Sequence, residues 1–323
     1  METDKPRISV LMAVYAPNPE WFREQLQSLN VQTYTNIKLY VRDDCSPRAS
    51  FEAVRDQVEK YITAFPYEIA RNENNLGSND TFELLTREAD GDFFAYCDQD
   101  DVWLPEKLSV LEELMEESNA AVACSDMYII DGSGKRTATG IGEIRRHHVF
   151  HAGDNAAPGL LFHNFVTGCT MMAKAELCKA AVPFCPYMIH DHYLALYCAQ
   201  HGSIAVAPQN LVNYRIHGGN QTSIMAGVVD KESYYQIRIV DYLHRLEWLQ
   251  EHFDCGEAMK REIADGLTWL RAREKNWRNK GGKRTIWKYR RFSRMPSLYE
   301  IFASRFPEPL FKLCLTAAKK NWI

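Results

Sequence analysis

The sequence predicts an α/β fold, a parallel sheet with helices on both faces, followed by a helical extension. Two observations carry this. Over the first hundred residues, short apolar runs rich in β-branched residues alternate with segments whose apolar positions recur every three or four residues. That alternation is the signature of crossover connections between parallel strands. From about residue 230 onward only the helical period remains.

The elements follow in order. ISVLMAVY (8–15) reads as a buried strand ending at the turn residues APNP, and PEWFREQLQSLNVQ as a helix with Trp21, Phe22, Leu26 and Leu29 on one face. IKLYVRDD (37–44) is a second strand, closed by a carboxylate pair and the turn-like CSP. FEAVRDQVEKYITAF, YEIARN, NDTFELLTREA and DFFAYCDQDD then read as helix, strand, helix and strand. AVACSDMYIID reads as a strand, KAELCKAAV and HDHYLALYCAQHG as helices, and SIAVAPQNLVNYRIH as one or two strands. YYQIRIVDYLHRLEWLQEHF and EAMKREIADGLTWLRAREKNW are amphipathic helices. These divisions predict a catalytic domain over 1–225 and a helical, basic region over 226–323.

Composition narrows the class. With 323 residues, 46% apolar and 25% charged, the chain holds a sizeable core as one large domain with an appended piece, or as two domains. No apolar run approaches the roughly 20 residues that span a bilayer. METDKPRISVLMAVY lacks a long apolar stretch, so no secretion signal is expected. Nine scattered cysteines, odd in number and without a CxxC pair, argue against a disulfide framework or structural zinc. They favour the reducing cytoplasm. The net charge of −4 hides an asymmetry: residues 271–294 carry eleven Lys or Arg and one acid, Glu274.

In AYCDQDDVWL (95–104), Asp98, Asp100 and Asp101 stand within four positions at the end of a predicted buried strand. Like charges so close stay ionised only where a cation or hydrogen-bond donors compensate them. Carboxylate oxygens suit magnesium or manganese, which also grip phosphates. A solvated loop, or an acid capping the helix that begins near Pro105, is the other reading of this triplet alone. Asp43/Asp44 also end a strand, and in parallel sheets ligands gather at the carboxyl ends of strands. Both clusters therefore face one predicted crevice.

At this point the chain resembles the family 2 inverting glycosyltransferases, over roughly residues 7–220. The resemblance rests on SVLMAVYAPNPEWFREQLQSLNVQTY, YVRDDCSP, NNLGSNDTF, DQDDVW, NFVTGCTMM, IHDHYL and NYRIHGGN. DQDDVW followed by YRxHGGN is most similar to bacterial rhamnosyltransferases. The resemblance implies the GT-A fold, a Rossmann-like mixed sheet, with a nucleotide-sugar donor and a divalent metal, Mn2+ or Mg2+. It places Ala13, Tyr15, Asp43 and Asp44 at the nucleoside, Asp98 and Asp100 at the metal and diphosphate, and Asp101, Trp103 and Gly168 near the sugars. Asn164 and Thr167 flank that last segment. Asp44 as a turn acid capping CSPR is the structural alternative.

The same resemblance places the catalytic base at Asp191, although His190 stands where the family more often has an acid. His190 and His192 point too far apart on a helix to chelate one metal. Arg215 and His217 lie two apart and share a face on an extended stretch. Arg215 is expected at a phosphate, and His217 at a phosphate or in the metal shell.

The basic tail interleaves Lys and Arg with Trp277, Trp287, Tyr289 and Phe292. A nucleic-acid partner is not expected. Peripheral contact with the anionic inner face of the cell membrane fits a lipid-linked saccharide acceptor better, and a solvated helical face is the plain alternative. The resulting expectation is transfer of L-rhamnose from dTDP-rhamnose to a bacterial surface polysaccharide. A UDP-hexose-dependent transferase of the same fold, a sugar nucleotidyltransferase and a non-catalytic glycan-binding relative are the alternatives.

Overall fold

The computed structural model describes residues 5–46, 51–145, 148–220 and 225–319. Chain contacts divide it into two compact units. The first holds residues 1–160, 164–184 and 189–218, and the second the short segments 161–163 and 185–188 with everything from Gly219.

The first unit is built on a sheet with strand order β3 (Tyr67–Arg71), β2 (Ile37–Asp43), β1 (Ile8–Val14), β4 (Phe93–Cys97), β8 (Met172–Lys174), β6 (Val122–Ile130), β9 (Ile204–Arg215), β5 (Val102–Trp103), with β7 (Arg136–Ala138) paired to β6. β1 (Ile8–Val14) is an apolar run and lies between β2 (Ile37–Asp43) and β4 (Phe93–Cys97), parallel to both. β3 (Tyr67–Arg71) extends the parallel run at one edge. The connections are α1 (Pro19–Asn30), α2 (Phe51–Tyr61) and α3 (Ser78–Glu88). The first of these starts where the Asn18 side chain accepts from the Glu20 and Trp21 amides, with Pro19 at its first position. Val10, Met12, Phe22 and Leu26 from this layer are fully buried in one core with Trp103 and Leu108.

Beyond β4 the sheet stops being purely parallel. β5 (Val102–Trp103) and α4 (Lys107–Ser118) precede β6 (Val122–Ile130) and β7 (Arg136–Ala138). α5 (Ala157–Leu160) and a 3-10 turn at Gly168–Thr170 lead to β8 (Met172–Lys174), which is antiparallel to β4 and to β6. α6 (Ala175–Ala180) and α7 (His190–His201) precede β9 (Ile204–Arg215), one strand of 12 residues, parallel to β6. The mixing enters through β8, which lies antiparallel between β4 and β6, while β6 and β9 keep a parallel pairing across α6 and α7.

The second unit is helical. α8 (Lys231–Tyr235) runs through a π segment (Gln236–Val240) into α9 (Asp241–His252), so the predicted single helix is wound wider in its middle. α10 (Glu257–Trp277) matches its predicted span and is followed by α11 (Lys283–Lys288), α12 (Arg294–Ala303) and α13 (Glu308–Lys319). Its core includes Val228, Tyr234, Ala303 and Phe311. Among these helices, Arg273 forms a buried two-pronged pair with Glu300, at 2.6 and 2.5 Å, and the Tyr234 hydroxyl donates to the same carboxylate at 2.8 Å. Among the described residues, no helix is long and apolar enough to cross a membrane.

Candidate active site

The site lies in the first unit, where β1, β2 and β4 end and the tail of β9 arrives. β5 decides the arrangement. It pairs antiparallel with β9, Val102 against Asn213 and Trp103 against Val212. The turn 98–101 is thereby carried against the residues that follow β9. The Arg215 amide donates to Asp101 Oδ1 at 2.9 Å, and His217 Nε2 lies 2.7 Å from Asp100 Oδ2. The His217 ring rests beside Trp21, centroids 4.7 Å apart.

Gln99, in the middle of the acidic triplet, joins this turn to the residue that follows the first strand. Its side-chain amide donates to the Tyr15 carbonyl at 2.9 Å, and its oxygen accepts from the Tyr15 amide at 2.8 Å. Tyr15 is exposed and Ala13 half-buried beside it. Asp43 and Asp44 end β2 as expected, yet both carboxylates are buried and bonded within the protein. Asp43 accepts from the Ser46 hydroxyl and faces Arg71 Nε at 3.2 Å. Asp44 accepts from the Leu76 and Gly77 amides and the Asn72 side chain, each at 2.8 Å, and so anchors the start of α3. Pro47 and Arg48 of the CSPR turn lie outside the described residues.

The acid cluster is electrostatically costly as it stands. Burial, then the charges of Asp101, Asp100 and Asp191, push the half-buried Asp98 carboxyl well above its ordinary range. Burial and Asp100 push Asp101 up to about 7, against the Arg215 amide, which draws it back. Asp101 Oδ2 is buried with no hydrogen-bond partner among the described residues. One oxygen each of Asp98 and Asp101 gathers with Cys169 Sγ within 4.8 Å. Lys107, unforeseen in the sequence, is fully buried close by. Its ammonium donates to the Cys169 carbonyl at 2.7 Å and sits over the Trp103 ring, and burial lowers it to about 7. Its spacing of four from Trp103 was the available signal, masked because a lysine opening a helix reads as a surface residue.

Two expected site residues have other places. Trp103 does not meet a sugar: it is 1% exposed, packed in the core with its amide bonded to Ser28 Oγ at 3.0 Å. Its ring was too apolar to remain at the rim once β5 joined β9. Arg215, expected at a phosphate, is engaged within the protein. Its guanidinium is buried and donates to the Asp100 carbonyl (2.7 Å), the Asp131 carbonyl (3.1 Å) and Glu24 Oε2 (2.5 Å). With its fork used internally, Arg215 locks the 98–101 turn to β9.

Asp191 opens α7. Its Oδ1 accepts from the Asn164 amide at 3.0 Å and its Oδ2 from the Gly168 backbone at 2.8 Å. Burial pushes its carboxyl up to about 6, with the Gly168 and His192 amides, the Arg145 charge and Asn164 drawing it back. His190 stacks on Phe82, centroids 4.0 Å apart, and burial lowers it to about 3, so its ring is neutral. His192 instead meets the Leu160 carbonyl at 2.5 Å. Thr167 precedes the turn at Gly168, where the His190 and Asp191 side chains crowd the space a side chain would take. A Cβ there would meet His190 Nε2 at 3.1 Å and Asp191 Cβ at 3.3 Å. We expect Gly168→Ala to displace the Asp191 carboxylate and lower kcat on the order of tenfold, about 1.4 kcal/mol, with KM for donor unchanged. Steady-state kinetics check this.

The family model described as "Glycosyl transferase family 2" matches residues 9–177. The chain belongs to this family. It is a glycosyltransferase of the GT-A fold. This family 2 glycosyltransferase is similar to an uncharacterized glycosyltransferase of Nostoc sp., 26% identical over 233 residues and covering 70% of each chain. Among solved structures it is similar to residues 1–349 of S. aureus TarS in complex with UDP-GlcNAc. There the TM-score is 0.60 and the identity 15%, over 98% of this chain and 92% of that one. The mannosyltransferase PcManGT from Pyrobaculum calidifontis, in complex with GDP-Man and Mn2+, gives a TM-score of 0.58 at 14% identity, over 99% and 82%.

Proposed function

We propose that this glycosyltransferase moves a sugar from a nucleoside-diphosphate donor to a saccharide acceptor with inversion, Asp191 acting as base. The observation that carries the proposal is the pairing of Asp100 with His217 beside Asp98, in the same acid field as Asp191. A base needs a carboxylate whose proton affinity is close to working pH, which burial gives Asp191. As the acceptor hydroxyl oxygen bonds to the anomeric carbon, the bond to the diphosphate breaks on the opposite face. The hydroxyl proton passes to Asp191. The Asn164 and Gly168 donors hold that carboxylate in place until then.

A divalent cation fits these residues. The cluster holds more carboxylate than its neighbours compensate, and an oxygen of Asp101 is buried without a partner. Asp98, Asp100 and His217 would hold the ion, and a mixed oxygen and imidazole set favours Mn2+ over Mg2+. Burial pushes the Cys169 thiol up, opposite to what a thiolate ligand needs. When bound, the ion supplies positive charge to the departing diphosphate. The nucleoside lies against Ala13, Tyr15 and the turn shaped by Asp43 and Asp44. Gln99 keeps that first-strand edge fixed relative to the acid turn.

For the sugar, DQDDVW with YRIHGGN supports L-rhamnose from dTDP-rhamnose, and a lipid-linked polysaccharide acceptor worked on at the inner face of the membrane. Two structural neighbours are complexes with UDP-GlcNAc and with GDP-Man instead, which makes the donor the decisive experiment. Calorimetry and nucleoside-diphosphate release are measured with dTDP-rhamnose, UDP-GlcNAc and GDP-mannose in Mn2+. We expect dTDP-rhamnose to bind at least about tenfold more tightly, roughly 1.4 kcal/mol. Preference for either other donor discards rhamnose and keeps glycosyl transfer. No binding or turnover with any of the three discards the proposed reaction.

A further inference from the structure

We propose that the second unit carries a site for the phosphate headgroup of an anionic lipid, at the turn between α10 and α11, with an apolar rim that enters the lipid surface. The inference deepens the membrane setting above but does not depend on the donor, since it is tested by partitioning rather than transfer.

The eleven basic residues of 271–294 are not alike. Arg271, Arg273, Arg278 and Arg291 are paired with carboxylates, those of Glu247, Glu300, Glu274, and Glu262 with Asp265. Their charge is already matched within the protein, most completely at the buried Arg273. Lys283 and Arg284 have no carboxylate partner among the described residues. Both line a cavity of about 370 Å³, together with Arg305 from beyond α12. Asn279 and Thr285 also line it, Arg305 Nε donating to Asn279 Oδ1 at 3.4 Å, and no carboxylate lines it among the described residues. Gly281 and Gly282 shape its floor with φ of +97° and +105°. At Gly282 a Cβ would meet the Ala272 carbonyl at 2.3 Å, so only glycine lets the turn close onto α10. Three cations with polar hydrogens around an opening of this size suit a phosphate ester.

Apolar side chains on α11 and α12 are exposed. Trp287 is 50% exposed, Met295 61% and Phe302 59%. The Lys283 ammonium lies 5.4 Å from the centroid of the Phe302 ring, which places cation and aromatic side by side. Met295 and Phe302 are two turns apart on α12 and share one side of it. Leu313 on α13 is 67% exposed. A cation beside an exposed ring, on a unit whose helices expose further apolar side chains, matches an anionic bilayer, charged at its surface and apolar just beneath. A nucleic acid would use the rings for stacking but gain nothing from Met295 and Leu313.

The test is sedimentation of the full chain with vesicles of phosphatidylcholine, with and without phosphatidylglycerol. Binding is expected only where phosphatidylglycerol is present. One basic side chain at such a surface is worth about fivefold, so Lys283→Gln with Arg284→Gln is expected to weaken partitioning about thirtyfold. Trp287→Ala is expected to weaken it as well. Donor hydrolysis and the melting temperature are expected to stay at wild-type values. The control pair Arg55→Gln and Lys60→Gln removes the same charge from the exposed face of α2 and is expected to leave binding intact. Unchanged partitioning in the Lys283/Arg284 variant overturns the proposal, as does an equal loss in the control. Binding of inorganic phosphate or a single-stranded oligonucleotide, with no vesicle binding, overturns it too.

Discussion

Asp191→Asn is expected to lower kcat by about 10²- to 10⁴-fold, roughly 3–5 kcal/mol of transition-state stabilisation, while donor affinity stays within about twofold. The substitution keeps shape and removes the proton acceptor, leaving the acid cluster that would face the diphosphate intact. Wild-type activity carries the corresponding pH signature. The base works only when ionised, so the rate falls as pH drops through about 6, close to tenfold per unit below it. The stability sign runs the other way. A carboxyl raised above its unfolded value binds its proton more readily in the folded state, so this group destabilises the fold above about pH 6. That penalty is relieved as pH falls toward the ordinary carboxylate range. Kinetics across pH 5–8 with calorimetric donor titrations check both halves. A variant that retains turnover excludes Asp191 as the base.

The second large effect is loss of the divalent ion. Treatment with a chelator is expected to reduce transfer by about 10³-fold, about 4 kcal/mol, and Mn2+ to restore it. Asp100→Ala is expected to raise the Mn2+ concentration needed for half-maximal activity by on the order of 10- to 100-fold, because it removes a ligand and leaves His217 without its 2.7 Å partner. The variant also relieves repulsion: Asp100 is among the charges that push Asp98 and Asp101 up, so the melting temperature without metal is expected to rise slightly. Activity untouched by chelation, and an unchanged Mn2+ requirement in the variant, overturn the metal reading.

Much of this protein was legible before any coordinates. Hydrophobic period alone assigned β1 to β4 and the helices between them, because a buried parallel strand and an amphipathic helix leave unmistakable spacings. The full span of α10 was readable for the same reason. The expected contacts of Trp103 and Arg215 failed because a sequence position reports residue type and not direction. An aromatic or an arginine near a motif looks functional whether it points to ligand or to core. Lys107 and Gln99 were missed for the converse reason, since each draws its significance from partners 62 and 84 residues away.

The sequence by itself determined the alternation of strands and helices, the acids at strand ends and the charge separation of the tail, all of them properties of near neighbours in the chain. Only the tertiary structure decided that β5 joins β9, so that His217 meets Asp100 and Arg215 turns inward, and that four of the tail's cations are already matched by carboxylates. Those outcomes depend on which distant segments share a sheet edge or a helix face, and the free energy of that choice is spread over contacts that no local pattern encodes.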